Sequence, residues 1–210
     1  MSEVVTTFIE AVVSQWQQQS ILEVIAVLLA IAYVWLAAEQ KIWCWPAALV
    51  STTLFTYVFW DVSLLFQMLL NAYYAVMAVV GWLSWRKQGQ LTVKGVSAMK
   101  LKHHGIIIGL GLLLTVLMVM FASHWLSYDL LWLDAGITMF SLIVTWLTVR
   151  KFLQSWIYWT MINSASIVLF ASVNLYFSVL LMLVYIGIAM KGYFQWKKDV
   201  DNEIANFASG

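Results

Sequence analysis

Charge is scarce in this sequence. Of 210 residues only 10% are charged, against 63% that are hydrophobic. Soluble domains carry about 25% charged and 45–50% apolar residues. In water such a chain would expose large apolar patches and aggregate, so its solvent is a bilayer. Neither a basic face nor an aromatic–basic stripe is present to hold nucleic acid. The single cysteine, Cys44, excludes an intramolecular disulfide and any CxxC metal or redox pair. His103, His104 and His124 fall in polar loops between the predicted spans and form no helical HExxH zinc arrangement. There is no Walker A loop for ATP, and no paired-Asp or Ser–His arrangement within the spans for intramembrane catalysis. The sequence therefore predicts no cofactor, no metal and no enzymatic activity. The one proline, Pro46, falls in the first turn of its span, where the missing N–H costs little.

What the sequence has instead is long apolar runs. A spanning helix needs about 20 mainly apolar residues. Seven stretches qualify: Ile21–Ala38, Ile42–Trp60, Val62–Trp85, Gly105–Ser123, Leu131–Val149, Ser155–Ser172 and Leu175–Phe194. Residues 1–20 hold Glu3 and Glu10 but no Lys or Arg. They lack the basic start of a cleaved signal peptide and are expected as a short, partly amphipathic lead-in. Basic residues orient the spans. Arg86, Lys87, Lys94, Lys100 and Lys102 cluster in the third loop, and alternation puts Lys41, Arg150, Lys151, Lys191, Lys197 and Lys198 on the same side. The prediction is a multi-pass protein of a bacterial inner membrane, with the N terminus outside and the C terminus cytoplasmic.

The chain also repeats itself at an offset of 111 residues. Trp35-Leu36 matches Trp146-Leu147, Trp45 matches Trp156, Tyr74 matches Tyr185, and Gly81 matches Gly192. Trp85-Arg86-Lys87 matches Trp196-Lys197-Lys198, and Glu23 matches Asp134. Aromatic belts could account for the terminal tryptophans, but not for the matched spacing of Trp, Tyr and Gly together. The expected fold class is an all-α membrane protein of seven transmembrane helices in a 3+1+3 parallel-repeat arrangement. Its parts are a lead-in (1–20), a first three-helix repeat (21–87), and a cytoplasmic loop with connector helix (88–123). A second three-helix repeat (124–198) and a cytoplasmic tail (199–210) follow. In the connector, Gly105 and Gly109 are expected to form a helix-packing surface.

Polar residues inside spans are costly, so their arrangement is informative. Gln67, Asn71 and Tyr74 share one helical face, as do Trp156, Trp159 and Asn163, and as do Ser178, Tyr185 and Ala189. With Trp45, the repeat mate of Trp156, these give the candidate substrate-binding set Trp159, Asn163, Asn71, Tyr74, Gln67, Trp156, Tyr185 and Trp45. Two amides, several aromatics and no formal charge suit a flat, polar heteroaromatic ligand. Ring faces stack on it or attract a cationic ring, and amides supply both donors and acceptors. The competing reading is interhelical glue at about 0.6 kcal/mol per residue.

Three stretches carry a family resemblance: Lys41-Ile-Trp-Cys-Trp-Pro46, Asn71-Ala-Tyr-Tyr74 leading to Gly81-Trp-Leu-Ser-Trp85, and Trp156-x-x-Trp159-x-x-x-Asn163. They resemble the PnuC family of B-vitamin transporters over nearly the whole chain. The resemblance implies a 3+1+3 fold like a full-length SWEET transporter, a homotrimer, and facilitated diffusion of an unphosphorylated vitamin trapped by a separate cytoplasmic kinase. Members resembling it carry nicotinamide riboside, thiamine or riboflavin. Where nicotinamide riboside carriers commonly read Lys-Ile-Ser-Asn, this chain has Lys41-Ile42-Trp43-Cys44, which looks more like the thiamine branch. Thiamine is therefore the expected cargo, with nicotinamide riboside the alternative. Both are cations, so Glu23 and Asp134 at the outer ends could attract either, or could simply favour a helix N-terminus.

Sugar-carrying SWEET and PQ-loop proteins share the predicted repeat geometry. Those families resemble one another in using span prolines as hinges, whereas this chain has only Pro46 and no Pro-Gln pair. A non-transporting structural membrane protein is the alternative from another class. Ion coupling is not expected, because the acids sit near span ends rather than in a buried relay.

Overall fold

Ser20 and Glu23 start a helix by capping each other. The Ser20 hydroxyl accepts from the Glu23 N–H at 3.2 Å, and the Glu23 carboxylate accepts from the Ser20 N–H at 2.6 Å. That capping box satisfies two otherwise orphaned donors. The computed structural model describes residues 2–61, 65–90, 95–125 and 129–208. Eight helices follow one another: α1 Ser2–Gln17, α2 Ile21–Ala38, α3 Cys44–Asp61, α4 Leu65–Gln90, α5 Leu101–Ala122, α6 Leu131–Val149, α7 Ser155–Ser172 and α8 Tyr176–Ala208.

Three helices, α2, α6 and α7, begin and end where hydropathy predicts; other expectations need correction. The lead-in is itself a helix, α1, docked on α8. Its Gln15 side chain donates to the Asn174 carbonyl at 2.7 Å and accepts from the Phe177 N–H at 2.9 Å. His103 and His104 lie in the first turn of α5, not in a loop, and His104 Nδ1 meets the Tyr158 hydroxyl at 2.7 Å. Helix α8 runs on through the expected tail to Ala208. Lys and Glu are good helix formers, so a charged extension is invisible to hydropathy. The start of the third predicted span, 62–64, lies outside the described residues.

Five of the described helices are long and apolar enough to cross a membrane: α2, α5 and α6, and most of α4 and α8. Helices α3 and α7 have 18 residues each and carry several hydroxyls. Most of those hydroxyls donate back into their own helix, while Ser51 donates to the Ala26 carbonyl of α2. Thr52, Thr53 and Thr56 bond the carbonyls of Ala48, Leu49 and Thr52, while Thr160, Ser164 and Ser166 bond those of Trp156, Thr160 and Ile162. Satisfied in this way, they need no water.

Helix α3 packs on both α2 and α4, and α7 packs on both α6 and α8. Two seams join these groups, α2 against α8 and α4 against α6, while α5 lies on α6. The repeat seen in the sequence recurs in the backbone. Gln40 and Lys151, 111 positions apart, both have φ of 55°. Each follows a helix end of Schellman type. The Gln40 and Lys41 N–H groups donate to the carbonyls of Ala37 and Leu36, and the Lys151 and Phe152 N–H groups to those of Thr148 and Leu147.

The same correspondence builds the core. Trp45 meets Trp85 edge to face at 5.2 Å and 88°, and Trp156 meets Trp196 at 5.3 Å and 89°. Glycine makes this possible. A Cβ at Gly81 would stand 2.5 Å from the Trp45 ring, and one at Gly192 would stand 2.7 Å from Trp156. The expected packing role of Gly105 and Gly109 is not seen within the chain, since a Cβ at either would meet nothing within 4 Å. The glycine of α5 that packs is Gly111, against Phe140.

Gly192→Ala should therefore lower the thermal stability of the purified protein, by about 1–3 kcal/mol of overpacking. Gly105→Ala should leave the melting temperature unchanged or raise it slightly, through better helix propensity. Equal melting curves for the two variants would refute the ring-on-glycine contact.

Candidate functional site

The tryptophan layer forms the floor of the site. Trp45, Trp85, Trp156 and Trp196 are all buried, and Trp85 meets Trp196 at 6.1 Å across the two repeats. The Trp85 indole N–H donates to the Val149 carbonyl at 3.0 Å. The Trp196 indole donates to Ala38 at 3.1 Å and to Ala37 at 3.3 Å. Val149 and Ala38 again differ by 111. The Val149 and Ala38 carbonyls end α6 and α2, where no intrahelical donor is available, whereas the Ala37 carbonyl already accepts from the Gln40 N–H.

Above this floor lie tyrosines. Tyr33 packs on Trp45 with ring centroids 5.9 Å apart, and its hydroxyl is close enough to Tyr74 and Tyr185 to interact electrostatically. Tyr74 also reaches the Ser141 hydroxyl. Along α4 and along α8, eleven residues separate the tryptophan from the tyrosine, or about 16 Å of helix. That is roughly half the thickness of a bilayer core. Trp159 stands one turn above Trp156, and its indole N–H donates to Thr148 Oγ1 at 3.0 Å. The Trp159 ring is partly buried and packs against both buried clusters. The Asn71 Nδ2 donates to the Gln67 carbonyl at 2.9 Å, leaving Oδ1 as an acceptor. Asn163 is 7% exposed, and no described residue bonds its amide.

The candidate residues do not all meet. Tyr74 and Tyr185 are half-buried at corresponding positions of α4 and α8. Trp45 and Trp156 belong to the packed floor and face their glycines rather than an opening. Gln67, although four residues from Asn71, is exposed to a separate groove of about 260 Å³ between α4, α5 and α6. Tyr73, Met118, Thr138 and Asp134 line that groove with it. Glu23 serves in the α2 capping box. Sequence reasoning missed Tyr33, Ser141 and Thr148. An isolated tyrosine in an apolar run resembles a belt residue, and hydroxyls in helices carry no pattern of their own.

Basic residues gather at the tryptophan end. Glu39 pairs with Lys41 at 2.6 Å and with Lys191 at 3.2 Å, and the Lys191 ammonium stands 3.2 Å from the Trp35 ring centre. Gln40 donates to the Asp199 carboxylate, a second link between the end of α2 and α8. The Lys151 ammonium sits 4.5 Å over Trp85, and burial pushes its pKa down. Hydrogen bonds from Lys41 and then Lys191 hold the Glu39 carboxyl below the usual carboxylate range.

The model of the family described as nicotinamide mononucleotide transporter matches residues 20–198. The chain belongs to this family. Nicotinamide riboside transporter PnuC of Escherichia coli (strain K12) is 22% identical over 205 residues, covering 83% of this chain and 84% of that protein. The protein of the same name from Shigella flexneri matches equally. The crystal structure of the vitamin B3 transporter PnuC superposes with a TM-score of 0.73 at 23% identity, covering 94% of this chain and 90% of that one. That likeness speaks for the fold. The chain is thus a multi-pass membrane transporter of the PnuC family, which leaves no need for a purely structural role.

The ion pairs at the tryptophan end predict a pH dependence. A lowered carboxyl pKa contributes stability that is present above the ordinary carboxylate range and is lost as pH falls through the lowered value. The melting-temperature gap between wild type and Glu39→Gln should be open at pH 7 and close below about pH 4. A gap that persists unchanged to pH 2 would mean that the charge of Glu39 contributes nothing.

Proposed function

We propose that the chain is a passive carrier of an unphosphorylated B vitamin, with nicotinamide riboside as its cargo. This reading rests on the chemistry of the residues above the tryptophan floor. Tyr33, Tyr74, Tyr185 and Trp159 bring ring faces, Asn71 and Asn163 bring amides, and none bears a formal charge. A cationic ring gains about 0.5–2 kcal/mol over an aromatic face, and a ring carboxamide finds both donor and acceptor in an asparagine. The names of the curated relatives and of the solved neighbour support the same cargo. A mononucleotide would add a phosphate, yet Lys151 and Lys191 lie at the tryptophan end and not among the tyrosines.

This reading displaces thiamine, the cargo expected from the Trp43–Pro46 run. In that run Cys44 and Trp45 are buried in the floor while Trp43 is 67% exposed. The run is a packing segment, so it says little about which ring is bound.

The two seams support a 3+1+3 arrangement, because the 111-residue offset exchanges α2 with α6 and α4 with α8. Triplets α2–α4 and α6–α8 would then be related by an axis along the membrane normal, with α5 as connector. The basic residues support a cytoplasmic tryptophan end, an N terminus outside and a cytoplasmic C terminus. We further assign a homotrimer, gradient-independent uniport, and trapping by a cytoplasmic vitamin kinase. Under this reading the Asp134 groove near the outer ends is a cation-attracting approach.

Titrating nicotinamide riboside, thiamine and riboflavin into the purified protein tests the assignment, and the first should bind tightest. Trp159→Ala should weaken that binding by about 5–30-fold, through loss of roughly 1–2 kcal/mol of ring contact. Asn163→Leu should cost at least as much, because a ligand polar group would enter without its partner. Wild-type affinity in both folded variants would remove this face of α7 from the site.

A further inference from the structure

We infer that the four-tryptophan layer is the closed cytoplasmic gate of the carrier, and that it opens by parting Trp85 from Trp196. This rests on the carrier reading and its orientation, and adds the moving part. Within each repeat the tryptophans are locked together. Trp45 lies on Gly81 and against Trp85, and Trp156 lies on Gly192 and against Trp196. Each pair therefore moves as a unit with its own repeat.

Between the repeats the layer is joined by apolar packing within one buried cluster, by the Lys151 ammonium 4.5 Å over the Trp85 ring, and by a small set of ring and hydrogen-bond contacts. One tilted ring contact, Trp85 on Trp196, spans the middle. Two indole–carbonyl links flank it, Trp85 to Val149 and Trp196 to Ala38 and Ala37. The accepting carbonyls end helices, so water can replace the indoles once the layer parts. On the rim of the α2–α8 seam, Glu39–Lys191 and Gln40–Asp199 add polar links of the same reversible kind. The connector contributes Val96, buried against the layer and held by Ser97, whose N–H donates to Lys151 O and whose carbonyl accepts from the Leu153 N–H. That strap belongs to the second repeat and travels with it.

A second observation separates a gate from an ordinary core. The indole N–H groups of Trp45 and Trp156 are fully buried and have no partner among the described residues, and the same holds for the Ser155 hydroxyl beside Trp156. The two tryptophans are repeat mates, so the orphaned donor occurs twice by the same rule. Buried donors without acceptors disfavour the state that buries them. Here that state is the closed layer, and parting it admits water to both. The closed gate is therefore held by Trp85 and Trp196 and opposed by Trp45 and Trp156. Four similar rings carry two opposite effects.

The chain's one thiol reports the gate without engineering. Cys44 is fully buried in the same cluster, so it reacts with a thiol reagent only when the layer opens. The experiment measures the rate of N-ethylmaleimide labelling of Cys44 in membranes holding the full-length protein. Trp85→Phe and Trp196→Phe keep a ring but lose the link across, and each should raise the rate about 3–10-fold. Trp156→Phe, distant in sequence from the thiol, removes an orphaned donor and should lower the rate by a similar factor, as should Trp45→Phe. Faster labelling in all four variants would mark the layer as plain core and overturn the gate, and so would unchanged rates. Should Trp85→Phe and Trp196→Phe not assemble, Glu39→Gln loosens the same seam from its rim. It should at least double the rate, and an unchanged rate there overturns the proposal. Labelling needs no cargo. Two-way shifts without nicotinamide riboside binding would therefore overturn the cargo assignment while supporting the gate.

Discussion

Two indole N–H groups reach across the molecule to the carbonyls that end α2 and α6, and the rest of the arrangement follows from that reach. These helix ends are buried in the closed layer, so their last carbonyls find donors within the protein. Tryptophan is suited to this, because its one donor sits on a large apolar ring. Placing that ring at the junction demands room beside it, and Gly81 and Gly192 provide the room. Once the tryptophans are seated, the tyrosines of α4 and α8 fall at one common height, about 16 Å above. Floor and site are therefore set by a single spacing, used twice.

Much of this was legible because the constraint is written twice in the chain. The 111-residue offset picked out Trp45, Trp156, Gly81, Gly192, Trp85 and Trp196, the residues that now form the floor. Their role was not legible. A tryptophan that packs and one that binds a ligand have the same hydropathy and the same helical phase, so Trp45 and Trp156 were grouped with Trp159. The difference lies in what stands opposite, a bare glycine backbone for the first two and Thr148 for the third. Tyr33 was missed for the converse reason. It reaches the site from α2, whose pattern is uniformly apolar, and nothing in its own segment marks it.

Helix phase also proved a weaker guide near helix ends than in the middle. Asn71 and Tyr74 point inward as their spacing implies, but Gln67 is exposed to a groove with Asp134. Near the start of α4 this face looks onto a groove lined by α6 and the far end of α5, so one helical face meets different surroundings at different heights. The charged continuation of α8 carries the same lesson. Val200, Ile204 and Phe207 do fall at i, i+4 and i+7 there, but so short a stripe among charged residues does not register as a membrane span.

The two repeats agree in the floor and diverge in the site. Trp45 and Trp156, Gly81 and Gly192, and Trp85 and Trp196 correspond one to one. At the level of the proposed lining, Tyr33 corresponds to Val144, Ala48 to Trp159, Thr52 to Asn163, and Asn71 to Met182. Only the pair Tyr74 and Tyr185 survives there. This division has a physical basis. A layer that must part evenly between two halves is best held by equal contacts on either side of its axis. A vitamin has no twofold axis of its own, so a lining that grips one orientation must differ from one repeat to the other. Duplication provides the first, and divergence at four pairs of positions provides the second. Under the proposed gate and cargo site, the symmetry of the floor and the asymmetry of the residues above it are two requirements of one transport cycle, met by the same pair of repeats.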